Sequence, residues 1–177
     1  MTKTLIFLGP TNSGKTSTSK NFIYSKLQIF NFDTYYREIR KTKSSKTFLN
    51  TIVNTNTYIL EKIKHSDQEI VIYEGAHLIL PSLFNEIINT IDKNTSIIVL
   101  YNFPFTELVE RMKSRLSYSR SRSEKIVLLI FSFLIFKINF KRTINILKLK
   151  EYSVVEIKDS NLEICDIVAL IKTQVPT

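Results

Sequence analysis

The chain has 177 residues, 44% of them hydrophobic, which is enough to bury the core of one domain and too apolar for a generally disordered polypeptide. It carries 25 Lys and Arg against 16 Asp and Glu, a net charge of +9, and its one cysteine, Cys165, excludes an internal disulfide. No signal-peptide pattern opens it and no apolar run reaches the roughly twenty residues of a membrane span, so a single cytoplasmic domain over residues 1–177 is expected.

The first element is "TLIFLG" (4–9), a strand apolar enough to be covered on both faces, which runs into "GPTNSGKT" (9–16). Gly, four residues, then Gly-Lys-Thr between a strand and a helix is the spacing of a P-loop. Gly9 and Gly14 permit backbone angles that bring consecutive N–H groups round a polyphosphate, and the helix N-terminus adds its positive end. Lys15 is expected to reach the β- and γ-phosphates, and the Thr16 hydroxyl to ligate Mg²⁺. Pro10, Thr11, Asn12, Ser13 and Ser17 complete the predicted ATP-binding stretch. The whole chain holds three glycines and two are in this loop, which argues against a chance turn.

After a helix predicted over 15–25 comes the strand "LQIFNFD" (27–33). Asp33 at its end is expected to project toward the γ-phosphate side, where a carboxylate can accept a proton from an acceptor hydroxyl; a plain N-cap of the next helix is the alternative, and the two roles are compatible. Tyr35, Tyr36 and Arg37 supply stacking surface and positive charge for an acceptor. A helix over 46–65 leads to the strand "EIVIYEG" (69–75). Glu74 there is placed to hold Mg²⁺ through water, and Gly75 lets the chain turn away from the phosphates. His77 either touches the acceptor or is a packed, hydrogen-bonded histidine.

A helix over 81–92, opened by Pro81, precedes the strand "SIIVLYN" (96–102), and Pro104 opens a helix over 104–116. Arg111 and Arg115 are four apart on it, and Arg120 and Arg122 follow in a Ser-rich stretch, so residues 112–125 read as a lid that closes arginines over transferring phosphates. Residues 111–150 hold eleven Lys and Arg against one acid, Glu124, while the remainder is nearly neutral with fourteen bases and fifteen acids. That surplus suits ATP phosphates, a nucleic acid or an anionic membrane surface; a solvated, Lys-rich face is the plainer alternative. Within a helix over 124–148, "IVLLIFSFLIF" (126–136) is apolar on every side. It is expected to lie buried between the sheet and another surface such as a partner subunit in a homodimer, with peripheral membrane contact aided by Lys137, Lys141 and Arg142 as the alternative. The strand "YSVVEIK" (152–158) and a helix over 161–172 close the pattern, with Cys165 a buried helical thiol. Alternating strands and helices predict a doubly wound α/β domain whose ligands collect at the carboxyl ends of the strands.

Together "GPTNSGKT", "FDTYYR", "VIYEGAHLILP" and "RMKSRLSYSRSR" resemble, in order, the phosphate loop, the acidic residue after strand two, the strand-three segment and the lid of P-loop kinases of the nucleoside- and nucleotide-kinase group. The likeness is to uridine-kinase-like and 2-phosphoglycerate-kinase-like members, and "VVEIKDSN" sits where such kinases approach adenine. It implies a five-stranded parallel sheet ordered 2-3-1-4-5, Mg-ATP as donor, Asp33 as base or hydroxyl ligand and a closing arginine lid. The acceptor it implies is a small molecule or nucleotide, with a nucleic-acid hydroxyl as the alternative that the basic segment raises. "GPTNSGKT" with a following Asp and Tyr is also similar to isopentenyl transferases, in which the loop holds a diphosphate leaving group. A nucleotide-dependent switch or motor is a third class, disfavoured by the lack of an Asn-Lys-x-Asp guanine-reading motif.

Overall fold

The computed structural model describes residues 2–42, 47–113, 122–159 and 162–174. Five strands form one parallel sheet: β1 (Lys3–Leu8), β2 (Leu27–Asn31), β3 (Ile70–Gly75), β4 (Ser96–Tyr101) and β5 (Ser153–Ile157), in the order β2-β3-β1-β4-β5. The order is the one the family resemblance implied. β3 and β4 are buried along their whole length and β1 from Thr4 onward, whereas the edge strands β2 and β5 are only partly covered. Near-continuous apolar runs therefore mark the strands that have helices over both faces.

On one face, α3 (Phe48–Lys64) and α4 (Pro81–Thr90) pack Ile52, Ile59, Leu83 and Ile87 against Ile6, Leu8, Val71 and Ile98, joined by the first turn of α2 (Phe32–Thr42). A polar thread runs through this layer. The buried Tyr73 hydroxyl donates to Asn56 Oδ1 at 2.7 Å, and Asn56 Nδ2 donates to Glu86 Oε2 at 2.6 Å, so each buried polar group is satisfied by the next. On the other face, α5 (Phe105–Lys113) and α7 (Ile164–Gln174) pack Leu108, Met112, Ile167, Val168 and Ile171 against Leu5, Phe7, Ile97 and Val99. The long helix α6 (Arg122–Leu149) contributes Leu129 to this second cluster and Leu147 to the first. Among the described residues no helix is long and apolar enough to cross a membrane.

Several elements differ from their predicted extents. α1 spans only Lys15–Lys20, not 15–25. Its sequence KTSTSK offers hydroxyls that bond the helix's own carbonyls: Thr18 Oγ1 to Gly14 O, Ser19 Oγ to Thr16 O, and then Asn21 Nδ2 to Ser17 O. Such local bonds compete with helix propagation. β2 stops at Asn31, so Asp33 stands in the first turn of α2 and not at the end of a strand. Asn31 Oδ1 accepts from the Thr34 N–H at 3.0 Å, taking the capping role considered for Asp33. The apolar stretch 126–136 is buried on one side only, as α6 lays a single face on the domain. Cys165, expected to be buried, is exposed, because α7 turns Ile167, Val168 and Ile171 inward instead.

Candidate active site

β1 has β3 on one side and β4 on the other, so the chain leaves β1 at the point where the sheet's winding reverses, and the crevice beyond the strand ends opens there. Residues 9–16 fill that position. Asn12 (φ 64°) and Gly14 (φ 94°) are both left-handed, a conformation open to Gly and tolerated by Asn, and they wind the loop into a tight cup. Gly9 is required by proximity: a Cβ there would stand 2.7 Å from Tyr101 Cβ and 3.0 Å from Tyr101 O at the end of β4. Tyr101 is buried beneath the loop, and that burial pushes its hydroxyl well above the ordinary tyrosine range.

Lys15, at the start of α1, folds its side chain back into the loop. Its buried ammonium donates to Gly9 O and Pro10 O at 2.8 Å and to Ser13 Oγ at 3.1 Å. A desolvated cation is thus held by the loop's own oxygens in the mouth of the cup, where phosphate oxygens can replace them as partners. Arg111 of α5 clamps the loop from outside. Its Nη1 lies 3.3 Å from Ser13 O, its Nε bonds Glu107 Oε1 at 2.6 Å, and its guanidinium stacks 4.2 Å from the centroid of Phe103. Four residues along α5 separate Arg111 from Glu107, so the ion pair is a one-turn contact that aims the guanidinium. Thr16 is exposed at the lip, beside the partly exposed Ser17.

Glu74, one residue before the end of β3, is buried. Ser19 Oγ of α1 reaches its Oε2 at 3.2 Å and Asn31 Nδ2 of β2 donates to its Oε1 at 2.6 Å, so three elements converge on one carboxylate. Neither Ser19 nor Asn31 was singled out in the sequence. Asn31 does double duty, holding Glu74 with its amide nitrogen and capping α2 with its oxygen. A Cβ on Gly75 would come within 2.8 Å of Phe32 Cβ, so here too the glycine is dictated by close packing, not by a special φ.

Asp33 and His77 approach from α2 and from the 3₁₀ turn His77–Ile79, with His77 Nδ1 3.9 Å from Asp33 Oδ1. That nitrogen is buried and has no hydrogen-bond partner. Burial lowers the His77 pKa below its ordinary value; the Asp33 charge opposes the shift and the Lys15 charge adds to it. His77 therefore lies within electrostatic reach of both residues. The Phe32 ring stacks between this group and Tyr36, 6.3 Å from the tyrosine and 5.7 Å from the imidazole, and Tyr36 meets Phe48 edge-on. Arg37 is exposed on α2.

A second opening lies on the far side of the loop: a cavity of about 490 Å³ lined by Gly14, Thr18, Arg111, Leu162, Ile164 and Cys165. Its volume suits a flat heterocycle, and apolar side chains from the start of α7 face the Arg111 side of the loop. Leu162 and Ile164 follow directly on the "VVEIKDSN" segment. One further contact was missed. Ser132 of α6 accepts the Thr11 N–H at 3.1 Å while donating to Leu129 O at 3.0 Å, pinning the loop to a helix 121 residues away. The signal was present, since Ser132 is the lone polar residue inside "IVLLIFSFLIF". Arg115 and Arg120 lie outside the described residues, and of Arg122 only its place at the start of α6 is described.

No family model and no curated protein matches the chain. Among solved structures it is similar to shikimate kinase from Acinetobacter baumannii in complex with shikimate, at 16% identity over 99% of this chain and 93% of that one, with a TM-score of 0.64. It is similar to the tunicamycin resistance protein of Deinococcus radiodurans at 12% identity, covering 99% and 96% of the two chains, TM-score 0.62. A gluconokinase from Sinorhizobium meliloti matches at 15% identity over 98% and 93%, TM-score 0.60. At these identities the shared feature is the fold, a P-loop sheet with its helices over the whole chain.

Proposed function

We propose that this chain is a phosphotransferase that moves the γ-phosphate of Mg-ATP to a hydroxyl of a small molecule or nucleotide. The observation that carries the reading is the position of Lys15 between two unlike sites. On one side Gly14 and Arg111 line a cavity roomy enough for a nucleobase; on the other, the Lys15 charge adds to the burial that lowers the His77 pKa, and Asp33 Oδ1 lies 3.9 Å from His77 Nδ1. ATP laid along the loop puts its base in the first and its γ-phosphate toward the second. Asp33 then orients or deprotonates the acceptor hydroxyl, which attacks in line, while Lys15 and Arg111 stabilise the equatorial oxygens, joined by Arg115, Arg120 and Arg122 of the lid. Thr16 and Glu74 supply hard oxygen donors, which suit Mg²⁺, and a bound Mg²⁺ neutralises charge on the phosphates.

Asp33 with its neighbours Tyr36, Arg37, Glu74, Gly75 and His77 forms the acceptor side. Two neighbours in fold are named for kinases of small molecules, shikimate and gluconate, which favours a small hydroxylated acceptor. "FDTYYR" and "VIYEGAHLILP" favour a uridine-kinase-like or 2-phosphoglycerate-kinase-like choice within that range. A nucleic-acid hydroxyl is the second reading, favoured by the surplus of cations in residues 111–150.

The test is acceptor-dependent consumption of Mg-ATP across nucleosides, nucleotides, phosphorylated sugars, sugar acids and single- and double-stranded oligonucleotides. Turnover on a small compound, with oligonucleotide binding weak and flat in salt, supports the reading. Tight, salt-steep oligonucleotide binding followed by phosphate transfer to the strand replaces the small acceptor with nucleic acid. ATP hydrolysis indifferent to every acceptor, or diphosphate release from a prenyl donor, overturns it.

A further inference from the structure

The outer face of α6 has no role in the site. Leu129, Phe136, Thr143 and Leu147, at intervals of seven, seven and four, are buried on the domain. On the opposite side Val127, Phe131, Leu134 and Ile138 are 63%, 59%, 51% and 76% exposed, within an arc of about 60° at 100° per residue. Leu128 and Ile130 widen the same patch. A contiguous apolar stripe of this kind on a surface helix marks an interaction site.

The charges that α6 itself carries from Ile126 to Leu149 are of one sign. Lys141 and Arg142, both exposed, flank and continue the stripe, Lys137 at its edge donates to Asn102 Oδ1 at 2.7 Å, and no acidic residue occurs between Lys125 and Lys150. That arrangement selects the occupant. A second copy of the chain set against this face in a symmetric contact brings Lys141 and Arg142 to another helix that has no acid to receive them. A nucleic acid answers the cations but leaves the apolar centre without a partner. An anionic lipid surface satisfies both, taking up Val127, Phe131, Leu134 and Ile138 at the acyl boundary and the cations at the headgroups.

We infer that the outer face of α6 docks the protein peripherally on an anionic membrane surface, with the helix lying in the interface plane. The inference is independent of the reaction proposed above, and it leaves the inner face, where Ser132 holds Thr11, facing the site.

Flotation with vesicles of pure phosphatidylcholine and of phosphatidylcholine with phosphatidylglycerol tests it, using the full chain at low and physiological salt. Binding is expected to the anionic vesicles and not to the neutral ones, weakening as salt rises. Phe131→Ser with Leu134→Ser is expected to reduce it at least tenfold, and Lys141→Gln and Arg142→Gln about fivefold each. Thermal melts of each variant check folding, and the exposed Lys141 and Arg142 provide the arm that does not touch apolar packing. No binding to anionic vesicles, or binding unchanged in both sets of variants, overturns the inference. So does a dimer in sedimentation velocity that Phe131→Ser converts to monomer while vesicles bind neither form, since a second copy then covers the face.

Discussion

The two sides of the phosphate loop differ in completeness. On the side proposed for the donor, the charged groups already have partners: Lys15 is bonded to Gly9, Pro10 and Ser13, and Arg111 to Ser13 and Glu107 with Phe103 beneath it. On the side proposed for the acceptor, Asp33 is half-exposed, and His77 Nδ1 is buried without a bond, 3.9 Å from it. A phosphate chain is always the same ligand, and a rigid loop can be shaped for it in advance. An acceptor completes its own site, and the unmatched His77 nitrogen is the kind of group that a substrate hydroxyl satisfies.

The sharpest way to break this contrast is to remove one charge from each side. Lys15→Ala is expected to cut turnover about 10³-fold and weaken ATP binding as well, whereas Asp33→Asn is expected to cut turnover at least about a hundredfold and leave ATP affinity intact. Nucleotide titration beside steady-state rates separates the two, and normal turnover in Asp33→Asn removes it from the mechanism. Gly9→Ala probes the rigidity of the donor side: its Cβ cannot fit against Tyr101, so a loss of about 1–3 kcal/mol in denaturant unfolding is expected. A full-stability Gly9→Ala protein means the loop yields more easily than its packing implies.

Ser132→Ala is a milder test of the same side. It strips the Thr11 N–H of its acceptor, and a loss of about 1 kcal/mol in ATP binding is expected, roughly fivefold in Kd by calorimetry. Smallest is the pH response of the acceptor side. His77 binds its proton less readily folded than unfolded, because burial outweighs the Asp33 charge. The stability at stake is therefore fully present above the unfolded value near 6.5 and is lost as pH falls from there toward the lower folded value. Melting temperature should fall less from pH 7.5 to 5.5 in His77→Asn than in the wild type, and more in Asp33→Asn, which removes the opposing charge. Equal falls in all three proteins would show that His77 does not titrate as its surroundings imply.

How far the sequence was legible follows from the range over which each feature is specified. The course of the loop was readable because Gly9, Gly14 and Lys15 shape it through the backbone of eight consecutive residues. The central strands β1, β3 and β4 were readable because burial on both faces demands continuous apolar runs. Asp33 was misplaced by a local competition: Asn31 caps α2 and ends β2 two residues early, and a capping choice between neighbouring Asn and Asp is not visible in propensities.

By itself, then, the sequence determined the strands, the phosphate loop and its lysine, because periodicity and loop chemistry are written within a few residues. Only the tertiary structure decided which groups meet across the sheet. Ser19 and Asn31 close on Glu74 from α1 and β2, and Ser132 reaches Thr11 from a helix far along the chain. Cys165 faces outward, and the outer side of the apolar stretch 126–136 is left uncovered. Asn31 meets Glu74 through the register of β2 on β3, and each of the others depends on the rotation of one helix about its axis against the sheet. That rotation is set by the sum of side-chain packing from both partners, and no single stretch of sequence contains both.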